Sequence, residues 1–233
     1  MSDLATYFLF GWYPYISMAV FLFGSWLCFD GEPHIQPDGS GRLWNSRQLT
    51  WGVTLFHGGI LVLFLGHLVG LLTPIQVFEA FGISHGFKQS MANGIGGTAG
   101  TIAFVGLVLL LRRRLAEAPN KPKTLFGDVA ILVLILIQLG LGLGTIPYAL
   151  AEFSSGCGAL PFMWWAQSIV TLQPGAAVTF AADIPLIFKL HIINGLTILL
   201  VFPSTRLVNI WSMPAWVLGH LKCRLHSLPR GAK

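Results

Sequence analysis

The chain has 233 residues, of which 54% are hydrophobic and only 10% are charged, and its net charge is +5. A soluble domain carries about 25% charged residues, so this composition excludes an ordinary water-soluble enzyme or binding domain. The apolar residues lie in long blocks, and an apolar block of about 18 residues or more indicates a transmembrane helix. The sequence contains no internal repeat and no separate polar domain, so we predict a single membrane domain over 1–233.

Five apolar blocks predict five transmembrane spans. Only helices and closed barrels satisfy the backbone inside a bilayer, so the predicted fold class is all-α, an integral membrane bundle. The first block is too long, and too rich in Trp and Tyr, for a cleavable signal peptide, and we expect it to remain as a span. The predicted spans cover about 7–29, 50–73, 91–111, 127–149 and 185–210, and a tail follows at 211–233.

The positive charges predict the orientation of these spans. The 1–2 connection, the 3–4 connection and the tail together hold eleven Lys and Arg residues. The amino-terminal segment, the 2–3 loop and the 4–5 loop (150–184) hold only Lys88. Cytoplasmic connections carry the excess of Lys and Arg, so we expect the amino terminus outside and the carboxyl terminus in the cytoplasm. The positive net charge then reflects insertion into the cell membrane and not binding of nucleic acid.

The three cysteines indicate no metal cluster and no disulfide. They form no C-x-x-C pair, so the chain is not expected to hold an iron–sulfur cluster or a thiolate zinc site. Cys157 is the only cysteine predicted on the outer side, so we expect no intrachain disulfide.

Histidines within the spans are the first candidates for function. Span 2 contains "LFHGGILVLFLGHLVGLL" (55–72), in which His57 and His67 stand ten residues apart. This spacing is about 15 Å along a helix, which is too far for both to bind one metal ion. Span 5 runs in the opposite direction and brings His191 to the depth of His67. Two neutral imidazoles from two helices suit a bis-histidine haem better than a hard cation, which prefers oxygen ligands; the alternative is hydrogen bonding between helices.

Three glycines on one side of span 2 have two possible roles. Gly59, Gly66 and Gly70 leave that side free of side chains, which a flat macrocycle requires. However, Gly66 and Gly70 also form a G-x-x-x-G motif, which usually allows two helices to approach each other. For the glycines alone, helix packing is the favoured interpretation.

Seven motifs follow each other along nearly the whole chain: "YPYISMAVFLFGSW" (13–26), "LFHGGILVLFLGHLVGLLTP" (55–74), "KQSMANGIGG" (88–97), "QLGLGLGTIP" (138–147), "WAQSIVT" (165–171), "FKLHIINGLT" (188–197) and "FPSTRLVNIWSMP" (202–214). In sequence, order and spacing they resemble the gamma subunit, or cytochrome b subunit, of membrane-bound respiratory nitrate reductase. The resemblance implies two b haems stacked across the bundle and quinol oxidation near the outer haem. It also implies an iron–sulfur subunit and a molybdenum catalytic subunit as cytoplasmic partners, with no nitrate chemistry in this chain.

The resemblance assigns haem ligands residue by residue. The outer-haem ligands fall on His67 and His191, and the first inner-haem ligand falls on His57. The second inner ligand should be a histidine, but the stretch here reads "RLVNIW" and the position is Asn209. Because asparagine is a poor haem ligand, we expect the inner haem to be absent, five-coordinate or bound by another group. The chain then carries one or two haems.

The resemblance also implies a site for menaquinol or ubiquinol. Lys88 in "KQSMA" matches the quinol-binding lysine of the family, and its charge would stabilise an anionic quinone oxygen. Gly66, beside His67, would let the quinone ring approach the haem edge. The alternative for Lys88 is a lysine at the lipid headgroups, and His85 is a less favoured second contact to quinol.

Basic residues at the inner side match family arginines near haem propionates. These are Arg114 and Arg206, and the role is plausible because arginine pairs with carboxylates in bidentate fashion. For Arg112 and Arg113, a role as anchors at the inner membrane surface is an equal alternative. The basic surface and tail from Arg206 to Lys233 are expected to dock the iron–sulfur subunit.

Two other functions remain open. The chain would also suit the cytochrome b subunit of a related complex, such as a nitrite oxidoreductase that runs electrons in the other direction. It would alternatively be a membrane anchor with impaired electron transfer, of which Asn209 is the first sign.

Overall fold

A computed structural model describes residues 3–29, 47–117, 125–151, 160–182 and 184–205. In these ranges the chain is helical and contains no strand, which confirms the all-α class. Five of the described helices are long and apolar enough to cross a membrane, which agrees with the predicted spans in number. These segments are Leu4–Leu27, Thr50–Leu72, His85–Ala116, Val129–Ala151 and Leu186–Ser204.

The described ranges contain nine α-helices. A π-helical segment, Phe8–Trp12, joins α1 to α2, and a 3-10 turn, Phe202–Ser204, follows α9. The α-helices are α1 (Asp3–Tyr7), α2 (Tyr13–Phe29), α3 (Arg47–Leu72), α4 (Ile75–Ala80), α5 (His85–Glu117), α6 (Leu125–Ala151), α7 (Leu160–Val170), α8 (Pro174–Ala182) and α9 (Leu186–Val201).

The third span is longer than predicted at both ends. The expected range was 91–111, but α5 runs from His85 to Glu117. Lys88, predicted in the 2–3 loop, therefore lies in the first turn of α5, and Arg114, predicted in the 3–4 connection, lies in its last turn. Counting apolar residues finds only the stretch of a helix suited to hydrocarbon. The polar and glycine-rich turns that extend this helix carry too few apolar side chains to be counted.

The 4–5 connection was predicted as a loop and this was wrong. It contains α7 and α8, which pack against each other. Both helices are shorter than the roughly 20 residues that a transmembrane helix requires, so a search for long apolar blocks does not find them. Leu172, between them, has a φ of 61°, the only positive φ at a non-glycine residue in the described ranges.

The long helices pack in an order in which α3 and α9 each contact other helices more than each other. α3 packs mainly on α5, α5 on α6, α6 on α9, and α9 on α2. The core between α3, α5 and α6 contains Phe56, Ala103, Leu107, Ile131 and Leu139. A smaller core joins the π-helical segment to the α8–α9 region. The helices that carry the histidines of spans 2 and 5 are thus each fixed by other helices.

α3 is in close contact with α5 at Gly59 but has open space beside Gly66 and Gly70. A Cβ added at Gly59 would lie 2.6 Å from the carbonyl oxygen of Ala99 and 2.8 Å from Cβ of Ala103. A Cβ added at Gly66 or Gly70 would meet nothing within 4 Å. Packing explains Gly59, as the sequence favoured, but it does not explain Gly66 and Gly70. We call the free space beside these two glycines the α3–α5 opening.

Candidate functional site

His67 on α3 and His191 on α9 are brought together across the bundle. Their ring centroids lie 6.2 Å apart and their planes are inclined by 36°. The sequence placed them at one depth, and the structure adds that the two rings lie close together.

The spacing of this pair fits one metal ion held between two imidazoles. A metal–imidazole bond is about 2.0–2.1 Å long, and a ring radius is about 1.2 Å, so two such rings have centroids about 6.5 Å apart. The observed 6.2 Å is close to this distance.

The hydrogen bond of His67 uses Nδ1 and leaves Nε2 free to bind a metal ion. Its Nδ1 donates to the carbonyl oxygen of Leu63 at 2.8 Å. The ring proton therefore lies on Nδ1, and the lone pair lies on Nε2, as is usual for a metal-ligating histidine. None of the described residues forms a hydrogen bond to that Nε2 atom.

His57 has the same arrangement ten residues before His67 on α3. Its Nδ1 donates to the carbonyl oxygen of Val53 at 2.8 Å, so its Nε2 also carries a lone pair. The expected partner position, Asn209, lies outside the described residues, as does Arg206.

The ring of His191 contacts the carboxamide of Gln138, which in turn is hydrogen-bonded to Asn194. Nε2 of Gln138 lies 3.3 Å from Nε2 of His191. Asn194 Nδ2 donates to Gln138 Oε1 at 2.8 Å and to the carbonyl oxygen of Leu134 at 3.1 Å. Gly142 leaves room for the ring, because a Cβ there would lie 3.0 Å from Cε1 of His191.

Gln138 and Asn194 were not among the site residues predicted from the sequence. A signal was present, since both are uncharged polar residues within otherwise apolar spans, and polar groups inside a membrane are costly unless they are paired. What the sequence does not show is that the two side chains meet, because this depends on how α6 and α9 are rotated towards each other.

Lys88 links several elements at the end of the bundle where His67 lies. Its Nζ donates to the carbonyl oxygen of Gly70 at 3.1 Å and to Sδ of Met163 at 2.6 Å. The ammonium group also lies 4.8 Å from the ring centroid of Phe78. Gly70 is three residues after His67, which is about 4.5 Å along the helix axis. The lysine thus lies beside the α3–α5 opening and forms no ion pair with a described carboxylate.

α7 closes this end of the bundle against α3. Gln167 Nε2 donates to the carbonyl oxygen of Leu71 at 3.2 Å, and Met163, four residues earlier, is 1% exposed. Residues four apart lie on the same face of a helix. One face of α7 therefore contacts both the end of α3 and the ammonium group of Lys88.

The remaining candidates have other surroundings. His85 Nε2 lies 2.9 Å from Glu79 Oε1. Its ring therefore pairs with this carboxylate and takes no part in the contacts of Lys88. Arg114 is 26 residues after Lys88 on the same helix, about 39 Å away, and therefore lies at the opposite end of the bundle.

Comparison with known proteins identifies relatives over nearly the full length. The family model for the nitrate reductase gamma subunit matches residues 6–224. The respiratory nitrate reductase 1 gamma chain of Escherichia coli (strain K12) is 41% identical over 207 residues, which cover 89% of this chain and 91% of the relative. The respiratory nitrate reductase 2 gamma chain of the same organism is 38% identical over 214 residues, covering 92% and 93%. The nitrate reductase gamma chain of Bacillus subtilis (strain 168) is 31% identical over 207 residues, covering 88% and 91%.

Proposed function

The chain belongs to the nitrate reductase gamma subunit family, and we propose that it is the haem-binding, quinol-oxidising subunit of such a complex. In this function it takes electrons from quinol in the membrane and passes them to an iron–sulfur subunit and a molybdenum subunit in the cytoplasm. The observation that carries the proposal is the pair His67 and His191, from two helices, with ring centroids 6.2 Å apart.

A b haem is the group that these residues would hold. Bound there, it supplies a one-electron ferric–ferrous couple. His67 contributes the Nε2 lone pair that its bond to the carbonyl oxygen of Leu63 leaves free. His191 would contribute a second ring nitrogen. His57 offers an equivalent nitrogen for an inner haem, and with Asn209 at the partner position the chain binds one or two haems.

The α3–α5 opening is the proposed quinol site. Lys88 would exchange its bonds to the carbonyl oxygen of Gly70 and to Sδ of Met163 for a quinol oxygen. The ammonium group would donate a hydrogen bond to that oxygen and stabilise negative charge on it. Gly66 carries no side chain, so the quinol ring can approach the His67 side of the opening. The position of Lys88 near His67 keeps the path for the electron short.

The proposed orientation places this end of the bundle on the outer side of the cell membrane. Arg114 then lies on the cytoplasmic side, where the excess of Lys and Arg is expected. The basic surface and tail from Arg206 to Lys233 would dock the iron–sulfur subunit, and nitrate would be reduced in the molybdenum subunit.

Haem content tests the proposal directly. The complex should be purified with the parent chain, with His67→Tyr and with His85→Tyr, and the pyridine haemochrome should be measured per chain. We expect His67→Tyr to lose one haem, because tyrosine does not restore the pair with His191. His85→Tyr is the matched control, since that ring pairs with Glu79 and should not affect haem content.

Two results would contradict the proposal. Full haem content in His67→Tyr would remove the assignment of this histidine. A parent chain without haem would indicate instead a membrane anchor with no role in electron transfer.

A further inference from the structure

The short helix α4, in the connection between spans 2 and 3, carries an aromatic ring that lies over Lys88. The ring is that of Phe78, and its centroid is 4.8 Å from Nζ of Lys88. A cation over the face of a ring and within about 6 Å of its centroid is attracted by the negative charge of the π system. The ring is thus a third contact of the ammonium group, besides the carbonyl oxygen of Gly70 and Sδ of Met163.

A helix cap fixes the backbone that carries this ring. Gly82 N–H donates to the carbonyl oxygen of Glu79 at 2.9 Å. Ile83 N–H donates to the carbonyl oxygen of Phe78, also at 2.9 Å. These two bonds form a Schellman motif, in which the residue after the C-cap adopts a left-handed conformation. Gly82 has a φ of 72° and adopts that conformation without strain. The position of α4 therefore does not depend on its contact with Lys88.

The carboxylate next to the ring is bound elsewhere. Glu79 follows Phe78 on α4, and its Oε1 lies 2.9 Å from Nε2 of His85. A carboxylate on the ammonium group would neutralise the charge that a quinol oxygen requires. A neutral ring attracts the ammonium group and leaves its charge in place. α4 thus contacts Lys88 through its aromatic ring and not through its carboxylate.

We propose that Phe78 is a positioning residue for Lys88 in quinol binding. The ammonium group must exchange its bonds to Gly70 and Met163 for a quinol oxygen. The ring belongs to α4 and not to the α3–α5 opening, so its attraction remains while those hydrogen bonds change. It holds the ammonium group at the edge of the opening in both states. The inference rests on the proposed function, in which Lys88 binds quinol.

Two other roles of the ring predict different results. As a packing residue of α4, Phe78 would affect stability only, and another apolar side chain of similar size would replace it. As a direct contact to the quinol ring, it would act without Lys88. The positioning role predicts an effect that requires both the ring and the ammonium group.

A series of variants separates these roles. Phe78→Leu removes the ring face but keeps an apolar side chain, whereas Phe78→Tyr keeps the ring. Phenylalanines with one, two or three ring fluorines, incorporated at position 78, keep the shape closely and weaken the attraction stepwise, because fluorine withdraws charge from the ring face. Phe81→Leu is the matched control, since it makes the same change at the C-cap of α4, where the side chain is 78% exposed.

Steady-state quinol oxidation by the whole complex gives kcat and KM for each variant. Without the ring, the ammonium group spends a smaller fraction of time in its binding position, and the apparent affinity falls by that fraction. We therefore expect Phe78→Leu to raise KM about 3–10-fold, the range of a partly exposed cation–π contact, with kcat nearly unchanged. The fluorinated rings should raise KM in the order of their fluorine number. Phe78→Tyr and Phe81→Leu should both keep the parent KM.

The same change in a Lys88→Met chain completes a double-mutant cycle. There Phe78→Leu should have no further effect on kcat/KM, because the ring has no cation to hold. An equal loss in this background would make Phe78 a direct contact to quinol and overturn the inference. An unchanged KM in Phe78→Leu would also overturn it, and the fluorinated series decides the same question if that variant fails to fold. Normal kinetics in Lys88→Met alone would instead overturn the role of Lys88 in the proposed function.

Discussion

Two alanine substitutions on one face of α3 should have opposite effects on stability and quinol binding. Gly59 and Gly66 are seven residues apart, which is almost two helical turns, so Gly59→Ala and Gly66→Ala add the same methyl group to the same side. At Gly59 this methyl group would lie 2.6 Å from the carbonyl oxygen of Ala99, whereas ordinary contacts begin at 3.4 Å. Because a helix backbone cannot turn aside as a side chain does, α3 and α5 must separate.

The change in the free energy of unfolding expected for Gly59→Ala follows from two opposing effects. Overpacking of this kind costs about 2–3 kcal/mol, and alanine is about 1 kcal/mol more favourable than glycine within a helix. The net loss of about 1–2 kcal/mol corresponds to a melting temperature lower by about 2–8 °C for a chain of this size. Quinol affinity in the folded fraction should change little.

Gly66→Ala should give the reverse pattern. The added methyl group meets no described atom within 4 Å, so the melting temperature should stay the same or rise slightly. In the proposed function the same methyl group enters the space that the quinol ring occupies. A penalty of about 1–2 kcal/mol would raise KM for quinol by about 5–30-fold, while the haem content stays normal.

Thermal unfolding in mild detergent, haem content and steady-state quinol oxidation by the whole complex measure these effects together. An unchanged KM in Gly66→Ala would refute the α3–α5 opening as the quinol site. An unchanged melting temperature in Gly59→Ala would refute the close contact of α3 with α5 as a source of stability.

Two further substitutions test the lysine and the inner haem. Lys88→Met should lower kcat/KM for quinol by about 10–100-fold, the loss of roughly 1.4–2.7 kcal/mol that one charged contact supplies, and leave the haem content intact; Lys88→Arg, which keeps the charge, should lose less. Haem reduction by quinol at the normal rate in Lys88→Met would make this lysine a surface charge only. Asn209→His should raise the haem content by one per chain and increase electron flow to the cytoplasmic partner. Two bis-histidine haem signals already present in the parent chain would contradict that interpretation of position 209.

The sequence predicted the spans because the need to match a bilayer leaves a strong pattern of apolar residues. It also predicted that His67 and His191 lie at one depth, since depth follows from residue counting along a helix. It did not predict that Lys88 lies on α5, because the first turns of that helix carry few apolar residues. The contacts of Gln138 with Asn194 and of Lys88 with Met163 depend on helix rotation and on the packing order of the helices, which the pattern of apolar residues does not specify.

The exposure of the α3–α5 opening has a consequence for how substrate concentration should be expressed. Gly66 is exposed, and Leu65, Leu68 and Val69 beside it are also exposed apolar residues within a membrane span. If quinol enters here, it arrives by diffusion in two dimensions within the lipid and not from water. The rate then depends on the ratio of quinol to phospholipid. Diluting a suspension of vesicles with buffer leaves that ratio unchanged, whereas fusing the same vesicles with quinol-free lipid lowers it.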